Sequence, residues 1–154
     1  MTRPTPGIAI GIGGLVAGSL DIADAIIFSS FRGVTGDVVL KYIASGLLGP
    51  SAMAGGMGTA TLGLALHFVI AFGAAAVFYA AATRLPFLWQ RPLVSGPIFG
   101  LAVYLVMNFV VIPMSAIRPR PFQFNAGFVN LIVAHIFFVG LPIALAARRS
   151  ARVR

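Results

Sequence analysis

Long apolar runs broken by short polar punctuation set the pattern of this chain. Four runs are long enough to cross a hydrocarbon core as helices, which takes about 20 residues. They cover approximately residues 7–31, 60–83, 93–113 and 124–147. Arg32-Gly33 closes the first, the stretch from Arg84 to Pro92 separates the second and third, and Pro113 to Phe122 separates the third and fourth. In lipid, backbone polar groups must be satisfied within the segment itself. The pattern therefore predicts an all-α, polytopic four-transmembrane-helix bundle forming a single domain, residues 1–154.

One stretch fits neither a span nor a solvated loop. "GDVVLKYIASGLLGPSAMAGGMG" is too apolar for the one and too rich in glycine for the other. Asp37 is placed to cap a short helix running to about Leu48, with Gly49-Pro50 as its stop. Residues 37–58 then form a re-entrant or interfacial helix across the mouth of the bundle, and both readings stay open.

Composition turns the helical pattern into a location. The 154 residues are 59% hydrophobic and 9% charged, with no glutamate, so there is too little polar material for a solvated shell. The formal charge of +8 does not form a nucleic-acid patch, because the basic residues sit singly or in pairs between apolar runs. Their densest group is the C-terminal "RRSARVR", which suits lipid headgroups at a helix end. Arg3, Arg84, Arg91, Arg148, Arg149, Arg152 and Arg154 fall on one side of the bilayer, and Arg32, Lys41, Arg118 and Arg120 on the other. That asymmetry predicts an inner-membrane protein with both termini cytoplasmic. The competing reading is a secretory leader cleaved near Ala23-Asp24-Ala25, but apolar residues continue beyond that point through Ile27 and Phe31. With no cysteine, disulfides, thiolate metal sites and cysteine nucleophiles are excluded.

Small residues mark the faces that approach each other. Gly7, Gly11, Gly14 and Gly18 form one stripe on the first span, continued by Asp21 and Ala25. Gly63, His67, Ala71 and Ala74 form a second stripe, and Gly96 and Gly100 open the third span. Such stripes let helix backbones approach closely in lipid. They predict tight packing, and the first is a candidate interface for a homo-oligomer or another membrane-complex partner. Pro97 and Pro142 each free a backbone carbonyl one turn earlier, which predicts kinks.

The chemistry, where there is any, lies in the polar residues inside the spans. Only three carboxylates exist, and Asp21 and Asp24 stand within the first apolar run. At about 1.5 Å per residue, Asp24, His67 and Asn108 fall roughly 7 Å to the outer side of their helix centres. Asp21 lies slightly outside the centre of its span and His135 near the centre of its own. An intramembrane charge is costly unless it is paired, hydrated or protonated, so these five residues are expected to converge. Three readings follow: a structural Asp–His–Asn hydrogen-bond network, a proton- or ion-handling site, or a cofactor site. The last means b-type haem between the histidines, or a divalent ion such as zinc or manganese, although no metal-ligand spacing is present. No cofactor is required by any of the residues. Neither G-x-S-x-G, a P-loop nor H-E-x-x-H occurs, and "GIGG" lies inside a span, so nothing points to an enzyme.

Three segments carry a family likeness: "LHFVIAFGAAAVFYAAATRLP", "GPIFGLAVYLVMNFVVIPMSAI" and "HIFFVGLPIALAARR". They resemble YagU-like small bacterial inner-membrane proteins. The shared features are a histidine early in one span, a Pro-containing turn, a span ending in a Pro-containing loop, and a final histidine-bearing span before an arginine cluster. The likeness covers about the last hundred residues and leaves out Asp21 and Asp24. It implies a polytopic membrane protein without an established activity and transfers no catalytic or ligand residues. The functional expectation is transport or permeation through the polar set, with a non-transporting accessory subunit as the rival and a haem carrier third.

Overall fold

A computed structural model describes residues 4–117 and 123–151. Arg3, Arg118, Arg120, Arg152 and Arg154, which enter the charge asymmetry, lie outside the described residues. Five main helices follow in order: α1 (Gly7–Ser30), α2 (Gly36–Leu48), α3 (Met57–Arg84), α4 (Pro92–Met114) and α5 (Ala126–Ser150). A 3-10 segment, Gly49–Ala54, joins α2 to α3, and a single helical turn, Phe87–Gln90, joins α3 to α4. No strand occurs among the described residues. Four of the helices (α1, α3, α4 and α5) are long and apolar enough to cross a membrane. Their ends fall within about three residues of the boundaries the apolar pattern predicts.

Local chemistry explains the short helix. Thr35 is extended, and its carbonyl accepts from the amides of Val38 and Val39 at 3.1 and 3.2 Å. Its hydroxyl donates to Asp37 at 2.5 Å, and Asp37 pairs with Lys41 one turn on at 2.8 Å. Asp37 thus stands in the first turn, where the helix dipole favours an anion. Gly49 ends α2 with φ +69°, a conformation that suits glycine because it has no Cβ. At 13 residues α2 is too short to span a bilayer alone. The predicted stretch from Asp37 to about Leu48 is therefore a helix that stops at Gly49 as expected, but Thr35 and not Asp37 is its cap, with Asp37 inside the first turn.

The four long helices alternate in direction, which brings both ends of the described chain together. The Thr5 amide donates to the Ser150 hydroxyl at 3.2 Å. This end is filled: Ala9, Ala17, Ala75, Phe78, Ala82, Trp89, Ile143 and Ala147 form one buried cluster. In lipid such a cluster is held by close packing rather than by removal of apolar surface from water.

Glycines set the helix spacing. A Cβ at Gly14 or Gly18 would strike the rings of Phe72 or Phe68, so α1 and α3 meet there. Gly63 faces the backbone of α2 at Leu40. Gly96 faces Leu141 and Gly140, and Gly100 faces the His135 carbonyl, so α4 lies on α5 almost backbone to backbone. Gly7 and Gly11 have no neighbour within 4 Å. Half of the α1 stripe expected at an oligomer interface is thus taken up inside the chain. Helices α4 and α5 run through Pro97 and Pro142, and α5 widens to a π-type turn over His135–Gly140, just before Pro142. Helix α4 widens likewise over Met107–Val111.

Candidate functional site

The opposite end of the bundle is hollow. A cavity of about 630 Å³ lies between α1, α3, α4 and α5. Val38, Val39, Tyr42 and Ile43 of α2 form part of its wall, so the short helix roofs it. The roof is fastened at its far end, where the Ala116 amide after α4 donates to the Gly46 carbonyl at 2.9 Å. All five residues singled out from sequence (Asp21, Asp24, His67, Asn108 and His135) line this one cavity.

They do not bond to one another. Among the described residues, the partner of Asp24 is Asn130, whose Nδ2 donates to Oδ2 at 2.8 Å. Asn108 Nδ2 turns back onto its own helix and donates to the Tyr104 carbonyl at 2.9 Å. His67 Nε2 lies 2.8 Å from the Gly18 carbonyl, and His135 Nδ1 lies 2.8 Å from the Leu131 carbonyl. The five residues surround a space, while the Asp24–Asn130 and His67–Gly18 bonds each join two helices.

The depth estimate needs a correction. His67 reaches α1 at Gly18, six residues from Asp24, or about 9 Å along the helix. Packing of Phe68 and Phe72 onto Gly18 and Gly14 sets this register, so a count from the span ends misses it. His67 belongs with Asp21 at the deep end of the cavity, where His135 also stands. His135 is buried at 8% exposure, with the Tyr104 ring edge-on at 5.7 Å.

Hydrogen bonding fixes the tautomers. A carbonyl oxygen only accepts, so the histidine nitrogen bonded to it carries the hydrogen. In the neutral rings this leaves a lone pair on His67 Nδ1 and another on His135 Nε2. With the carboxylates of Asp21 and Asp24 they make the deep end rich in acceptors. Arg32 lines the cavity at its rim, three turns along α1 from Asp21, with its guanidinium 5.0 Å from the centre of the Phe28 ring. Space of this size beside several polar groups can hold water and can exchange a proton with it. No group of three or more His, Asp or Glu side chains is arranged to hold a metal ion among the described residues.

Asn130 is the polar cavity residue that sequence reasoning missed. The depth rule that selected the others would have found it. In the predicted span 124–147, Asn130 lies about 8 Å from the centre, level with Asp24. Gly140, against which α4 packs, was overlooked in the same helix. No protein-family model, curated protein or solved structure matches the chain.

Proposed function

We propose that the chain is a multi-pass protein of the bacterial inner membrane, with both termini cytoplasmic and the α2 end outside. Its cavity handles protons or small cations in a permeation process. The observation that carries this reading is the convergence of Asp21, His67 and His135, from three different helices, on one cavity. Ionisable residues at membrane depth that face a cavity are characteristic of proton and ion pathways. Asp21, His67 and His135 do not bond to one another across the cavity. The likeness to YagU-like proteins supports the same location and says nothing of activity.

One observation favours a second reading. The terminal half of the bundle is packed with Phe78, Trp89, Ile143 and small residues, which closes the cavity on that side. A non-transporting accessory subunit needs no path through this core, whereas a carrier must open it or share it with a second copy. Proton and cation flux into liposomes separates the two. Permeation requires flux above that of empty liposomes for wild type, with strong loss in Asp21→Asn and Asp24→Asn. Absence of flux across several ions assigns the chain to the accessory role.

A further inference from the structure

We infer that the cavity is a binding site for a lipophilic organic cation that arrives sideways from the bilayer between α3 and α4. This rests on the reading of the cavity as a working permeation site and adds an organic cation to the protons or small cations assigned to it. Three features carry it. The first is size and wall chemistry: about 630 Å³ lies within the range of drug-sized ligand sites. The wall is largely apolar (Ile22, Val103, Met107 and Val139, for example), with a few polar side chains that different helices contribute.

Charge is the second feature. Two of the polar groups are carboxylates, and the two histidines each offer a lone pair when neutral. Asp24 is held by Asn130, but Asp21 has no hydrogen-bond partner among the described residues. The cation that lines the cavity, Arg32, follows the end of α1, and its guanidinium lies over Phe28, two helical turns along α1 from Asp21. Lys41 does not line the cavity and is paired with Asp37. With Asp21 ionised, the deep end favours a cation over an anion.

Access is the third. Helix α4 lies along α5 rather than along α3, and its ring contact with α3 is the Phe78–Phe99 pair, 5.0 Å between centres, near the filled end. Toward the α2 end both helices line the cavity, α3 through His67 and Ile70 and α4 through Met107 and Val111. Met53, Ile70 and Val111 both line the cavity and are exposed, at 43%, 38% and 36%. An opening edged by methionine, isoleucine and valine at membrane depth admits an apolar body more readily than a hydrated ion. A ligand with such a body and a cationic head would fill the wall with the one and reach Asp21 with the other.

The size-matched ions tetraphenylphosphonium and tetraphenylborate test this on the full chain in lipid nanodiscs. The cation is expected to bind at least about tenfold more tightly than the anion, the margin of a single favourable charge contact. Asp21→Asn should remove that preference and Asp21→Glu should keep it. Ile70→Trp, which narrows the opening without touching the charge, should slow association of the cation while leaving its preference over the anion intact. Equal binding of both ions, no binding, or a preference that survives Asp21→Asn in a folded variant overturns the proposal. Flux is read separately. Proton flux without cation binding sinks the ligand assignment and leaves permeation standing, whereas cation binding without any flux supports the site and sinks permeation.

Discussion

Asn130 Nδ2 donates to Asp24 Oδ2 at 2.8 Å, and this bond ties α5 to α1 across 106 residues of sequence. It is the one side-chain to side-chain bond between the long helices among the described residues, so it has a defined energetic role. Interhelical hydrogen bonds in membrane bundles contribute about 0.6 kcal/mol on average and up to about 1.7 kcal/mol. A double-mutant cycle of Asp24→Asn and Asn130→Leu, followed by reversible unfolding in mixed micelles, should give a coupling energy in that range. Asn130→Leu alone should cost more than Asp24→Asn alone, because it leaves a carboxylate unpaired instead of a neutral amide. Zero coupling would show that the two side chains act independently.

Backbone contact at glycine yields a sharper contrast. A Cβ at Gly100 would run into the His135 carbonyl, and one at Gly140 into Gly96 and Gly100. Gly73, on the open face of α3, has nothing within 4 Å. Overpacking of this kind costs about 1–3 kcal/mol. Gly100→Ala and Gly140→Ala should each lower stability by that amount, read by thermal unfolding in detergent. Gly73→Ala should be neutral or stabilising by up to about 1 kcal/mol, since alanine favours the helix. Because the Gly100 contact is with the backbone of His135, Gly100→Ala should also reduce flux at temperatures where the protein is still folded.

Much of this fold is legible in the sequence because the bilayer imposes a simple rule. Apolar length predicts the four long helices, and Asp37 with Gly49-Pro50 marks the limits of α2 to within two residues. Depth counting brings Asp21, Asp24, His67, Asn108 and His135 to one place because helices have a fixed rise. Two things escape it. Rotation about the helix axis decides whether Asn108 faces a partner or its own backbone, and spacing alone does not determine it. Axial sliding of α3 against α1 is set by Phe68 and Phe72 seating on glycines, which moves His67 from the level of Asp24 to that of Gly18.

Asp37 predicts a pH dependence at the start of α2. Hydrogen bonds from Lys41 and then Thr35 hold its carboxyl down, from an ordinary 3.8 to about 2. A depressed carboxylate stabilises the fold above its unfolded value, and that contribution is lost as pH falls through the folded value. The first turn of α2 should therefore hold above about pH 3.8 and loosen as pH falls toward about 2. The carboxyl is open to solvent, which keeps the effect small. A carbon-13 titration of the Asp37 side chain should show a midpoint near 2 in wild type and a return toward 3.8 in Lys41→Ala. An unchanged midpoint in that variant would remove the pairing from the account of how α2 begins.

Whether the cavity is wet, and from which side, can be read by thiol labelling, because the chain contains no cysteine to remove. Ala74 and Ala75 are neighbours on α3, and of the two only Ala74 lines the cavity, although it also touches the filled core. Ala75 lies in that core at 1% exposure. A thiol reacts as its thiolate, which forms only where water or a polar surface can stabilise the charge. Ala74→Cys should therefore react with a small, charged methanethiosulfonate, and Ala75→Cys should not. In intact cells with a permeable outer membrane, a reagent that cannot cross the inner membrane should still label Ala74→Cys, because the α2 end is proposed to face outward. Labelling only after the inner membrane is opened would invert the orientation, and a failure to label in either condition would make the cavity dry. Asp21→Asn should leave the reaction at Ala74→Cys intact, since the volume of the cavity does not depend on that charge. Tetraphenylphosphonium should slow it by occupying the same space, which joins the test for water to the test for the ligand.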